Sequence, residues 1–223
     1  MEKLFSKAAD IFSEQLTKEG ENCFIVPGGS TPSLFYKYLA EKVLDWRGVT
    51  LIPSDERLVH ETSSQSNVGM IRKGLIERIQ NKDKPTLLSF IDNNKKQDLL
   101  SSFSSLKFKV SLLMPSKAAF LGIGEDGHTA SLFPGHEETW FSNEPLVLIK
   151  RDTEPFQRIS LSAGLLSSVP RLIFFVIGDR KRPIMQKLLD NKGKTDALPI
   201  MQLKKRAKGK VTIFCDKTAY PND

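Results

Sequence analysis

Phe120-Leu121-Gly122-Ile123-Gly124-Glu125-Asp126-Gly127-His128-Thr129-Ala130-Ser131-Leu132-Phe133-Pro134 begins as an apolar run, breaks at glycines and then presents an acid and an imidazole. The run reads as a strand that delivers Asp126 and His128 to its carboxyl end. In an open α/β sheet the ligand crevice lies outside the carboxyl ends of the strands, so a polar cluster there points to chemistry. Gly122, Gly124 and Gly127 allow a sharp turn and a close approach of backbone to ligand. Taken alone, the stretch also fits a plain strand-to-helix turn with a surface acid and histidine, Ser131 belonging to the helix start.

The flanking chain repeats the strand-to-turn-to-helix pattern. Cys23-Phe24-Ile25-Val26 reads as a short buried strand, and Pro27-Gly28-Gly29-Ser30-Thr31-Pro32 leads from it into a helical pattern in Leu34, Phe35, Tyr38, Leu39 and Val43. Free N–H groups and the helix dipole favour negative charge at such a start, which makes Gly28, Gly29, Ser30 and Thr31 a candidate anion site. A simple capped helix after a tight turn, with Pro32 in its first turn, explains the same residues. No lysine follows the glycines at Walker A spacing. Val49 to Pro53 is the next strand, and Ser54-Asp55-Glu56-Arg57 emerges from it, so Arg57 would face the same crevice. Ser66 or Asn67 can cap a helix through Met70, Ile71, Leu75 and Ile79, leaving Ser63-Ser64-Gln65 as a polar loop.

Leu172 to Ile177 is an unbroken apolar run of the kind found in parallel sheets covered on both faces. It ends in Gly178-Asp179-Arg180-Lys181, before a helix through Met185, Leu188 and Leu189. Lys181 stands at that helix start, where the dipole disfavours a cation unless an anion is present. Leu4, Phe5, Ala8, Phe12 and Leu16 predict an amphipathic opening helix closed by Gly20. Thr86 to Phe90, Leu146 to Ile149, Arg158 to Leu161 and Val211 to Cys215 read as strands, and Asp98 to Phe103 and Ala163 to Val169 as helices. No repeat or linker divides the chain. The expectation is one α/β domain over residues 1–223, with a mostly parallel central sheet and helices on both faces.

With 223 residues, 39% of them hydrophobic and 26% charged, the chain can bury about 70% of its unfolded surface without a metal or disulfide. The net charge of +7 invites a nucleic-acid reading. However, Lys204, Lys205, Arg206, Lys208 and Lys210 carry much of it with no aromatic residues interleaved for base stacking. They are expected to form a solvated turn before the last strand. Positive potential instead suits a small anionic substrate. Cys23 and Cys215 are expected to be buried free thiols in a reducing cytoplasm. The first residues mix acids with basic and apolar residues, unlike a signal peptide, and the apolar runs are too short to cross a bilayer. His60, His128 and His136 show no metal-ligand spacing, and no Gly-x-Ser-x-Gly elbow is present.

Together, Gly28-Gly29-Ser30-Thr31-Pro32, Asp55-Glu56-Arg57-Leu58-Val59, Ser66-Asn67, the Gly122 to Pro134 stretch, Arg158-Ile159-Ser160-Leu161 and Gly178-Asp179-Arg180-Lys181 resemble the 6-phosphogluconolactonase family over nearly the whole chain. The resemblance implies a modified Rossmann-like fold shared with glucosamine-6-phosphate deaminases. Those relatives continue after the histidine toward an Asn-Glu-Pro segment and carry an aromatic residue at the place of Arg57. This chain has Ser131-Leu132-Phe133-Pro134 and Arg57, which favours the lactonase. The implied reaction is hydrolysis of 6-phospho-D-glucono-1,5-lactone in the oxidative pentose phosphate pathway, with no cofactor and with the phosphosugar lactone as partner, not nucleic acid or membrane. The oligomeric state stays open, a monomer included. His128 would be the base, Asp126 would orient the ring or the substrate hydroxyls, and Arg57 would stabilise the oxyanion, contact phosphate or hold Asp55 in place. Gly28, Gly29, Ser30, Thr31, Asp55, Arg158 and Lys181 would hold substrate and phosphate.

Overall fold

The computed structural model describes all residues except 18–19, 30–31, 43, 92–98, 137–139, 141, 153, 191–197 and 222–223, and the side chains of 99–102. The strands are β1 (Asn22–Val26), β2 (Val49–Pro53), β3 (Asp55–Arg57), β4 (Thr86–Leu87), β5 (Ala118–Gly122), β6 (Leu146–Ile149), β7 (Arg158–Leu161), β8 (Arg171–Val176) and β9 (Lys210–Cys215). The α-helices are α1 (Glu2–Glu14), α2 (Ser33–Glu41), α3 (Asn67–Gly74), α4 (Leu99–Leu112), α5 (Ala163–Ser168), α6 (Arg182–Asp190) and α7 (Pro199–Arg206).

Six strands form the central sheet in the order β4-β2-β1-β5-β8-β9, every neighbouring pair parallel. Their apolar runs are continuous because both faces are covered, and alternate residues serve different cores. Phe24, Val26, Phe120, Ile173 and Phe175 join one core with Phe5, Phe12 and Phe35 of α1 and α2. Cys23, Ile25, Leu121, Phe174 and Val176 join the other with Val110, Leu166, Ile184 and Leu203 of α4 to α7. Aromatic stacking tightens the first layer: Phe12 on Phe24 at 3.9 Å and Phe35 on Phe120 at 4.8 Å between centroids. Such pairs add about 0.5–1.5 kcal/mol beyond area burial.

From β1 the chain builds outward to β2 and β4 on one side, and β5, β8 and β9 complete the other. The order therefore reverses between β1 and β5, and their carboxyl ends open a crevice there.

A second, antiparallel sheet has the order β3-β7-β6. Ser54 joins the two sheets: its N–H donates to the Val26 carbonyl (2.9 Å) and its own carbonyl accepts from Leu161 N–H (3.0 Å). The sequence reading found β6 and β7 but no strand at β3, whose three charged residues carry no apolar alternation. Glu56 explains how they can pair. It is 1% exposed, and its carboxylate accepts from the N–H groups of Arg57, Asn67 and Val68, each at 2.8 Å, and from Ser66 Oγ at 2.9 Å. It thus occupies the positive end of α3, where a carboxylate is favoured. Burial nevertheless pushes the Glu56 carboxyl above its ordinary range, against these donors.

Other expectations are corrected. The strand foreseen at Thr86 to Phe90 is just Thr86–Leu87, and the helix foreseen at Asp98 to Phe103 runs over Leu99–Leu112, with Asp98 outside the described residues. Lys204, Lys205 and Arg206 form the last turn of α7 rather than a turn between elements; cations suit the negative end of that helix. Cys215 is half-buried because β9 is an edge strand, whereas Cys23 is buried; both thiols are free. Ser131 opens no helix. Thr129 and Leu132 bridge across a tight turn in which Ala130 adopts φ +51°, a conformation no sequence pattern announces in an alanine. Among the described residues no helix is long and apolar enough to cross a membrane.

Candidate active site

A cleft of about 200 Å³ occupies the crevice between β1 and β5, lined in part by Gly28, Gly29, Asp55, Arg57, His128, Arg158 and Lys181. The sequence-predicted residues thus converge from four strand ends and from β7. Asp126 stands beside the lining through its bond to His128. Ser30 and Thr31 lie outside the described residues.

The turn after β5 sets the acid and the imidazole. Gly127 takes φ +88°, which an L side chain resists, and Gly124 N–H donates to the His128 carbonyl at 2.8 Å. Asp126 Oδ1 accepts from His128 N–H (3.0 Å) and lies 2.6 Å from His128 Nδ1. Burial opposes ionisation of Asp126, but the ring and backbone hydrogen bonds from His128 outweigh it and hold the carboxyl down at about 2. An ionised carboxylate only accepts, so Nδ1 is the donor of this pair, and in a neutral ring the lone pair then lies on Nε2. A base needs that lone pair.

Cations line the same cleft. Arg57 Nη1 donates to Gln65 O (3.1 Å) and Asn67 Oδ1 (2.9 Å), while its Nε is buried with no hydrogen-bond partner among the described residues. Arg158 Nε donates to Glu154 Oε2 at 2.8 Å, and its Nη1 lies 3.8 Å from Asp55 Oδ2. Burial pushes the Lys181 ammonium below its ordinary range, Arg180 adding to the effect while Glu125 and Asp126 oppose it. An anion in the cleft would relieve that cost.

Sequence reasoning missed what supports these groups. Phe133 lies 4.6 Å from the His128 ring between centroids, and the guanidinium carbons of Arg151 and Arg158 stand 4.0 and 5.5 Å from its centroid. Ser131 Oγ donates to Asp55 Oδ2 at 2.5 Å. Both residues stand in the quoted stretch, but nothing in their type signals these contacts. Glu154, which neutralises Arg158, carried no signal at all. His60 is exposed and bonded to Thr62, and among the described residues no cluster of three or more His, Cys, Asp or Glu could hold a metal ion.

A family model described as glucosamine-6-phosphate isomerases/6-phosphogluconolactonase matches residues 1–213. The chain belongs to this family. A 6-phosphogluconolactonase of Haemophilus influenzae is 32% identical, covering 86% of this chain and 83% of its own. Among solved structures, a 6-phosphogluconolactonase from Shewanella baltica superposes with TM-score 0.82 at 24% identity, over 96% of this chain and 93% of its own. A monomeric glucosamine-6-phosphate deaminase superposes with TM-score 0.80 at 19% identity, over 98% and 95%. Both branches of the glucosamine-6-phosphate isomerase/6-phosphogluconolactonase family therefore share this fold, and the backbone does not separate them. The side chains in the cleft must.

Proposed function

We propose that the chain hydrolyses 6-phospho-D-glucono-1,5-lactone to 6-phosphogluconate, the lactone-opening step of the oxidative pentose phosphate pathway. The observation that carries this reading is the Asp126-oriented His128, which lines the same cleft as Arg57, Arg158 and Lys181. Neutral His128 takes a proton on Nε2 as water attacks the lactone carbonyl, and Arg57 stabilises the oxyanion that develops. Collapse of the tetrahedral centre breaks the bond to the ring oxygen, which receives the proton back from the imidazolium. A positioned base contributes about 10²- to 10⁴-fold, and an oxyanion partner several kcal/mol. The phosphate rests on the Gly29 backbone, Arg158 and Lys181, and Ser30 and Thr31 follow Gly29 in the sequence. Water is the nucleophile and no cofactor takes part. Residues 1–223 form one catalytic domain that acts in the cytoplasm on a small phosphosugar lactone.

The test is hydrolysis of freshly generated 6-phosphogluconolactone beside unphosphorylated gluconolactone, with spontaneous hydrolysis subtracted. Strong preference for the phosphorylated lactone is expected. Equal rates would remove the phosphate site, and ammonia release from glucosamine 6-phosphate would place the chain with the deaminases.

A further inference from the structure

Beneath the cationic wall of the cleft lies a polar node that the reaction above does not use. Asp55 is 5% exposed, and both of its oxygens are engaged. Oδ1 accepts from Ser54 Oγ (3.0 Å) and Asn67 Nδ2 (3.2 Å). Oδ2 accepts from Ser131 Oγ (2.5 Å) and lies 3.8 Å from Arg158 Nη1. An ionised carboxylate offers about four lone-pair sites; three donors fill most of that capacity, and the Arg158 guanidinium stands at ion-pair distance on the Oδ2 side.

Asn67, 2% exposed, carries the node to the cleft. Its Nδ2 donates to the Asp55 carbonyl (2.8 Å) as well as the carboxylate, and its Oδ1 accepts from Arg57 Nη1 at 2.9 Å. The two ends of the amide are therefore not interchangeable: flipped, the oxygen would face Asp55 oxygens and the NH₂ would face the guanidinium. Gly28 makes the approach possible, since a Cβ there would stand 2.0 Å from Asn67 Cγ. Ser131 is 0% exposed and is pinned from behind by its own N–H, which donates to Ser160 Oγ at 3.2 Å.

We propose that Asp55 is a buried anchor rather than a substrate ligand, and that Ser131 and Asn67 are positioning residues: Ser131 fixes the carboxylate, and Asn67 passes that fix to the Arg57 guanidinium. This would make the serine after Ala130 part of the lactonase site without its touching substrate. The kinetic consequence rests on the lactonase reading; the structural one does not.

Two measurements test it. In protein labelled with ¹⁵N-arginine, the Nε–H of Arg57, identified by its loss in Arg57→Lys, should exchange slowly with solvent because that atom is buried. Asn67→Ala and Ser131→Ala should each speed the exchange by about tenfold or more, and an unchanged rate overturns the proposal. Should Asn67→Ala fail to fold, Asn67→Asp keeps the shape and the acceptor for Arg57 but sets an oxygen against Asp55, and the same acceleration is expected. Kinetically, Asn67→Ala should lower kcat about tenfold or more with KM for the phosphorylated lactone nearly kept. The Asn67→Ala, Arg57→Lys double variant should lose no more than the worse single one, because residues acting as a unit are not additive. Fully additive losses sink the role of Asn67. A wild-type chain inactive on the lactone refutes the proposed function, and the exchange measurement then still decides the anchor.

Discussion

Arg57 and Arg158 stand directly opposite one another in the antiparallel pair of β3 and β7. Residues so paired point to the same face, and like charges there are destabilising. Glu154 balances Arg158 through two hydrogen bonds; burial works against that carboxyl, but Arg158 and Arg151 bring it below its ordinary range. The Arg57 guanidinium instead donates to Gln65 O and Asn67 Oδ1, neither of them a carboxylate. A pair of this kind is a natural seat for an anion, because a bidentate fork meets phosphate or carboxylate geometry.

Ligand should therefore stabilise the fold through this pair. A ligand at 100 times its Kd adds about 2.7 kcal/mol, which for a chain of this size raises Tm by about 5–10 °C. We expect such a rise with 6-phosphogluconate, and a much smaller one in Arg158→Met at the same concentration. Equal shifts in both proteins would exclude Arg158 from the anion site.

His128→Asn should lower turnover of the phosphorylated lactone by about 10²-fold or more, the contribution of a positioned base, with 6-phosphogluconate affinity kept within a few-fold. Near-normal turnover after subtraction of spontaneous hydrolysis would take His128 out of the mechanism.

The Asp126 bond to His128 should also be visible in stability against pH. Its folded value of about 2 lies below the ordinary 3.8, so the unfolded chain binds the proton more readily. The stabilisation is then complete above about pH 5 and fades as pH falls through the interval toward 2. The Tm difference between wild type and Asp126→Asn should be widest at pH 5 to 7 and shrink steadily by pH 3. A gap that widens on acidification contradicts the assignment.

Much of this site was legible because glycines and strand ends leave strong marks. Unbroken runs such as Leu172 to Ile177 announce a sheet covered on both faces, and Gly28-Gly29 and Gly122 to Gly127 announce where it turns toward a ligand. The second sheet left no such mark. Glu56 is buried by capping α3, a long-range arrangement, and a charged triplet does not spell a strand by itself. Ser131 and Asn67 were equally silent about their roles, since a serine after an alanine with φ +51° and an asparagine at a helix start acquire partners only when distant segments meet. Residue type carries chemistry; support comes from topology.

Lys181→Met should weaken binding more than turnover. Burial already disfavours the charged ammonium, so a bound phosphate would regain what desolvation costs. KM for the phosphorylated lactone should rise about tenfold or more, as for loss of a charge-assisted contact, while the unphosphorylated lactone is unaffected. An unchanged KM would end the phosphate role of Lys181.

Gly124→Ala tests whether the geometry of the turn, beyond its residue types, sustains the reaction. A Cβ at this position would stand 2.1 Å from His128 Nδ1, 2.3 Å from its Cε1 and 2.7 Å from Asp126 Oδ1. All three atoms belong to the ends of half-exposed side chains, so the ring can swing aside and the backbone need not move. The fold should therefore survive with Tm lowered by a few degrees, the ordinary cost of a mild local strain. The Nδ1–Oδ1 contact cannot survive, and with it goes the hydrogen bond that would fix the lone pair of a neutral ring on Nε2. We expect kcat to fall about 10²-fold, close to the loss in His128→Asn, and the double variant to fall no further. A Gly124→Ala protein that turns over normally would show that His128 needs no help from Asp126.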